Sequence, residues 1–298
     1  MKTDSQLRAS RARSTAVALA FGLALALPAQ AQVTTGFETS SGYTSGASVI
    51  GVDDTGIAGS ATWQTVFVDT GGATASPANP QTGELAMRVS SNGSQVYGGK
   101  LFLQGSGLVW DDPTQRVNFS FGMAISSFSA GTGNQVMVYL GENTVSPGAG
   151  KYWVELIFTN GELQLWKGNA AANNSAVSIG SYTTFSNLGE YITFDITVDP
   201  VSKTYTSVTL SGTNSSVDLT SSFDGVTLPC YPQSGVTPDQ WIQFVVGSND
   251  TVVVDFDNLN INNVSIPEPA TYGATYGAAF GAVALMLAIW RRRIRSRR

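Results

Sequence analysis

The sequence predicts an all-β protein, an antiparallel β-sandwich followed by one C-terminal transmembrane helix, and three observations lead there. Charged residues make up only 12% of the chain while glycine supplies 32 of its 298 residues. That balance suits short strands and tight turns, because glycine and asparagine reach the positive-φ positions that turns need. Apolar and polar residues alternate in several runs, the period of a strand with one buried face. Near the C-terminus lies an uncharged stretch as long as a bilayer core is thick.

The ends read as targeting segments. Lys2, Arg8, Arg11 and Arg13 give a basic start, residues 16–27 form a short apolar run, and Pro28 breaks it. Ala29 and Ala31 place small residues where signal peptidase needs them, so the cut is expected after Ala31, with Gln32 as the new N-terminus. Residues 1–31 are thus expected to be a signal peptide. No adjacent arginine pair precedes the apolar run, which favours the general secretion route.

At the other end Pro267, Glu268 and Pro269 precede the uncharged residues 270–290 and a basic block that opens with Arg291, Arg292 and Arg293. A helix over that span rises about 31 Å, enough to cross the membrane. The arginines hold the C-terminus in the cytoplasm, with Trp290 at one interface and Tyr272 and Tyr276 near the other. This order resembles the bacterial PEP-CTERM sorting signal over residues 267–298, departing from it only where Thr271, Tyr272, Thr275 and Tyr276 make the start of the span somewhat polar. The resemblance implies processing near Pro267-Glu268-Pro269 by a membrane-embedded exosortase, then transfer to the cell surface or to extracellular polysaccharide. Left uncut, the same tail would be an ordinary membrane anchor.

Between the ends, residues 32–264 show no break that requires two domains, and residues 265–298 form the tail. Six basic and nineteen acidic residues lie between the two basic ends, a net charge of about −13. Such a body repels phosphate backbones, which excludes nucleic acid as a partner. The acidic pairs Asp53/Asp54 and Asp255/Asp257 leave calcium open, and equally fit solvated acids at strand edges and turns. The chain has no histidine, which removes Ser-His-Asp triads, Cys-His dyads and imidazole zinc sites, and its one cysteine, Cys230, cannot form an internal disulfide. No catalytic residue and no metal-ligand set is predicted, and glycine runs such as Gly105-Ser106-Gly107 are turns.

Strands are expected at residues 62–68, 85–90, 116–123, 135–140, 191–198, 203–210, 241–246 and 251–261. Val117, Phe119, Phe121 and Met123 share one face of the third; Ile192, Phe194, Ile196 and Val198 share one face of the fifth. Ile242, Phe244 and Val246 do so in the seventh. No fixed-length repeat appears, which counts against a propeller or β-helix. Asn160-Gly161 marks a two-residue hairpin turn within residues 152–167. With those residues at the tip, Thr159 meets Glu162, Phe158 meets Leu163 and Leu156 meets Leu165. The opposite face then carries Trp153, Glu155, Gln164 and Trp166. Indole rings beside an amide and a carboxylate suit carbohydrate, and the same tryptophans would be core if the face were covered.

Gly36-Phe37-Glu38, the following Ser41-Gly42-Tyr43-Thr44-Ser45-Gly46 and the late Val254-Asp255-Phe256-Asp257-Asn258-Leu259 resemble the first and last strands of concanavalin A-like jelly-roll domains of lectins and glucanases. The Glu-x-Asp-x-Glu run of the hydrolases with that fold is absent, since the strand near Tyr152 offers only Glu155. The tail and the aromatic-polar face of the hairpin together point to an exported, non-enzymatic polysaccharide-binding or structural module. It would cross the inner membrane, anchor transiently through residues 270–290, and end at the cell surface or matrix. Its partners would be signal peptidase, exosortase and extracellular polysaccharide. Two other expectations stand beside it: a glycan-cleaving enzyme (glycoside hydrolase or polysaccharide lyase) pairing Glu155 with Asp195, Asp255 or Asp257, and a matrix component without a ligand site, which burial of both tryptophans would favour.

Overall fold

Strands form where the sequence alternates, and the apolar partners of that alternation meet between two sheets. The computed structural model describes residues 32–53, 62–65, 73–92, 96–102, 108–110, 112–128, 135–140, 153–168, 175–229, 241–247 and 251–266. In chain order the strands are β1 (Gln32–Thr35), β2 (Trp63–Thr65), β3 (Ala73–Ser76), β4 (Ala86–Asn92) and β5 (Val96–Phe102). Next come β6 (Gln115–Ser127), β7 (Gln135–Leu140), β8 (Val154–Thr159), β9 (Glu162–Lys167) and β10 (Ser175–Ser181). The last are β11 (Ile192–Asp199), β12 (Thr204–Ser211), β13 (Ser216–Asp218), β14 (Trp241–Gly247) and β15 (Thr251–Ser265).

They build two antiparallel sheets. The first runs β13-β12-β11-β6-β15-β4-β3, with β1 added against β15; the second runs β10-β9-β8-β7-β14-β5-β2. Single helical turns at Tyr182–Phe185 and Thr220–Phe223 are the only α-helices among the described residues. None is long and apolar enough to cross a membrane. The expected span 270–290 lies outside the described residues, as do residues 1–31 and the tail motif.

Facing side chains of the two sheets make one core. Phe121 of the first sheet and Phe244 of the second meet edge-on at 5.7 Å, and Phe244 packs on Phe256 at 4.5 Å. Trp63 lies beside Phe244 and donates its indole N–H to the Tyr43 hydroxyl at 2.7 Å. Edge-on and tilted pairs of this kind add to the burial energy of each ring. The inward residues foreseen for β6, β11 and β14 are all buried in this core.

The β8–β9 hairpin has the expected register: Leu156 opposite Leu165, Phe158 opposite Leu163, Thr159 opposite Glu162. Asn160 and Gly161 both take positive φ, 50° and 84°, as a type I′ turn requires.

Candidate functional site

Two outward faces carry polar clusters, one per sheet. On the second sheet, cross-strand pairing lines up Gln64 with Lys100, Lys100 with Gln243, Gln243 with Tyr139 and Tyr139 with Glu155. The β8–β9 pairs end at Leu156–Leu165; carried one step further, the same register sets Glu155 across from Trp166, which faces Ala176 of β10. These residues therefore form a row perpendicular to the strands, one per strand, about 4.8 Å apart. The middle of the row, Gln243, Tyr139 and Glu155, is buried, Lys100 and Trp166 are half-buried, and Gln64 and Ala176 at the ends are exposed. Gln164 is half-buried one step along β9, on the same face.

Glu155 is the unusual member. It is 7% exposed, its Oε2 has no hydrogen-bond partner, and burial pushes its carboxyl up to about 7. An unpaired carboxylate loses its hydration without compensation, so the neutral form is favoured until the pH nears 7. The Trp166 indole N–H is also unpartnered, while the Trp166 carbonyl accepts from the Tyr205 hydroxyl at 2.7 Å. That bond fixes the strand from the first-sheet side and leaves the indole ring outward.

Trp153 does not join them. It lies one residue before β8, its N–H bonded to the Leu140 carbonyl at 2.7 Å, and is 2% exposed in the interior, edge-on to Trp110. Strand alternation begins at Val154, so the parity that assigned Trp153 to the outward face does not reach it. Of the four expected ligand residues, the structure brings Glu155, Gln164 and Trp166 to one face and moves Trp153 into the core.

On the first sheet Asp255 and Asp257 do share the outward face of β15, but they are not solvated. Asp255 takes two bonds from Arg88, Nε to Oδ1 and a terminal nitrogen to Oδ2, each 2.7 Å. Its Oδ2 also accepts from Ser126 at 3.2 Å and Asn79 at 3.4 Å. Asp257 accepts the backbone N–H groups of Gln81 (2.8 Å), Thr82 (3.2 Å) and Asn258 (2.7 Å). Burial raises its carboxyl to about 6 against the pull of those donors. The two acids thus pin the β3–β4 loop over the sheet. Beside them Asn79, Gln81, Tyr191, Thr193 and Thr213 line an open cleft of about 470 Å³. Tyr191 donates to the Asn79 carbonyl (2.6 Å) and the Gln81 amide to Thr193 (2.9 Å), so the cleft walls are tied to one another.

Asp195, Asp255 and Asp257 belong to the first sheet and Glu155 to the second, each pointing away from the other sheet. Packed sheets lie about 10 Å apart before any outward side chain is added. Glycosidase carboxyls must stand roughly 5–9.5 Å apart across the scissile bond. None of the three can serve Glu155 as the second acid. Among the described residues no group of three or more acids, cysteines or histidines is placed to hold a metal.

Lys100, Gln243 and Tyr139 are absent from the sequence-predicted set. Alternation in β14 already put Gln243 opposite its apolar neighbours. The row itself depends on β14 lying between β5 and β7, a long-range register with no local signal.

No protein-family model matches the chain, and no curated protein matches it. Among solved structures, the binding domain of botulinum neurotoxin DC in complex with rat synaptotagmin II is similar at 10% identity and a TM-score of 0.44, over 71% of this chain and 45% of that one. The receptor binding domain of botulinum neurotoxin D is similar at 13% identity and a TM-score of 0.43, over 76% of this chain and 50% of that one. The chain thus spans about half the length of these structures.

Proposed function

We propose that the chain is an exported protein of the bacterial cell surface or extracellular matrix whose body binds extracellular polysaccharide without cleaving it. Signal peptidase removes residues 1–31, and residues 270–290 hold the protein in the membrane until an exosortase processes the tail at Pro267-Glu268-Pro269. The body is a jelly roll of the concanavalin A-like kind, and its ligand lies along the outward face of the second sheet.

The observation that carries the binding site is the Glu155 carboxyl on the outward face of β8, buried yet unpartnered at Oε2, with the indole N–H of Trp166 on the same face of β9 also unpartnered. A sugar hydroxyl both donates and accepts, so sugar hydroxyls suit both groups, and a sugar ring suits the indole face. A body charge of about −13 favours a neutral polysaccharide over a polyanion.

Binding of the full-length chain to an array of soluble bacterial polysaccharides tests this. Trp166→Ala and Glu155→Gln are each expected to weaken binding at least tenfold, about 1.4 kcal/mol, while Trp153→Ala lowers thermal stability. Binding unchanged in the first two variants removes the face as the site. New reducing ends or unsaturated sugars would overturn the non-catalytic reading.

A further inference from the structure

The two ends of the body meet on one strand. β15 pairs with β4 over Thr251–Phe256, then bulges between Asp257 and Asn260, where Asn258 takes a φ of 52°. Beyond the bulge β4 has ended, and β1 takes over the same edge, pairing Thr35 with Leu259, Thr34 with Asn260, Val33 with Ile261 and Gln32 with Asn262. Val33 and Thr35 are buried, and the Thr34 hydroxyl donates to Asn260 Oδ1 at 3.3 Å. The other edge of β15 stays paired with β6 as far as Ser265, opposite Gln115, and the Ile266 N–H still donates to the Thr114 carbonyl at 2.7 Å. The next residue, Pro267, has no N–H and cannot extend the ladder.

Antiparallel pairing fixes directions. β1 runs away from the pole that β15 runs towards, so Gln32 and Ile266, the first and last described residues, stand at the same pole of the sandwich. Gln32 is level with Asn262, four residues short of Ile266. At about 3.3 Å per residue and about 4.8 Å between strands, the two residues stand roughly 14 Å apart. A peptide bond inside a paired strand is closed to a processing enzyme, which needs the chain extended and free of its ladder partners.

We infer that the β1–β15 pair is a terminal clamp: it sets Gln32 and Ile266 at one pole of the sandwich and confines C-terminal processing to bonds beyond Ile266, a few residues from the new N-terminus. The second half rests on the sorting role proposed for the tail. β1 finds its partner only when β15, the last strand of the body, has crossed the membrane.

Two measurements on the full chain separate these statements. Intact mass of the protein recovered from its host is expected to give an N-terminus at Gln32 and a C-terminus at Pro267 or later. A C-terminus upstream of Ile266 overturns the confinement. Thr34→Cys with Asn260→Cys, in a Cys230→Ser background, is expected to close a disulfide within one chain under mild oxidation, since directly opposed residues have the required Cα spacing. A disulfide-linked dimer, or no bond, overturns the clamp. A chain that reaches the surface with residues 267–298 intact overturns the sorting reading and the confinement together, and the disulfide still decides the clamp.

Discussion

Asp255 and Glu155 sit on opposite outer faces of the same sandwich, both almost wholly buried, and differ in what reaches their oxygens. Asp255 is 0% exposed and receives Arg88, Ser126 and Asn79. Glu155 has a free Oε2 and only desolvation acting on it. A buried carboxylate with a full set of donors has spent its capacity on the fold. One without them destabilises the charged fold. The contrast teaches that acid content alone marks neither site; the census of donors around each acid separates them.

Breaking the satisfied side is expected to have the largest effect. Asp255→Ala removes the ion pair and strands Arg88, which is only a quarter exposed, at a cost of about 3 kcal/mol, near the lower end for a buried pair. For a domain of this size that lowers Tm by roughly 6–12 °C. Thermal unfolding checks it, and polysaccharide binding at a temperature where the variant is folded should be unchanged. A loss of binding there would shift the ligand to the first sheet.

The unsatisfied side predicts the opposite sign. The folded-state pKa of Glu155, about 7, lies above its ordinary value of 4.5, so the folded chain binds the proton more tightly than the unfolded one. The stabilising contribution of the protonated carboxyl is therefore whole below pH 4.5 and is lost as pH rises through 7. Glu155→Gln is expected to be nearly neutral at pH 4 and stabilising by about 2–3 kcal/mol at pH 8. Urea unfolding at the two pH values measures this. Equal effects at both would mean that the ionised carboxyl already has donors. A bound polysaccharide that hydrogen-bonds Glu155 should remove most of the difference.

Much of the sandwich was legible because one-sided burial writes a period of two into the sequence. Val117 to Met123, Ile192 to Val198 and Ile242 to Val246 all lie in the strands and on the faces their alternation indicates. Asn160-Gly161 carried the hairpin register down to individual pairs. β3, β5 and β10 escaped because alanine, serine and glycine show no clear alternation, and glycine more often marks a turn. The site was half legible. Glu155, Gln164 and Trp166 followed from hairpin parity, whereas Trp153 lies just before the strand begins, and the row through Tyr139, Gln243 and Lys100 depends on the insertion of β14 between strands far away in sequence.

Gly98 of β5 and Gly122 of β6 carry the comparison of the two faces to its smallest effects. A methyl group on Gly98 would lie 2.1 Å from the Phe244 carbonyl oxygen, a backbone atom in the strand that carries Gln243. On the first sheet a methyl on Gly122 would lie 2.0 Å from the Gln81 side-chain oxygen, the far end of a side chain held by Thr193 and Asn258. In the first case two strands must separate; in the second an amide swings aside, giving up two hydrogen bonds, and the Tyr191 ring, 2.9 Å from the methyl, shifts with it. Gly98→Ala is thus expected to cost about 2 kcal/mol, within the range for forced overpacking, and to weaken binding along the row by displacing Gln243. Gly122→Ala is expected to cost about 1 kcal/mol, the scale of the hydrogen bonds it disturbs, with binding intact. Equal losses of binding in the two variants would mean that the second sheet's outward face has no special claim on the ligand.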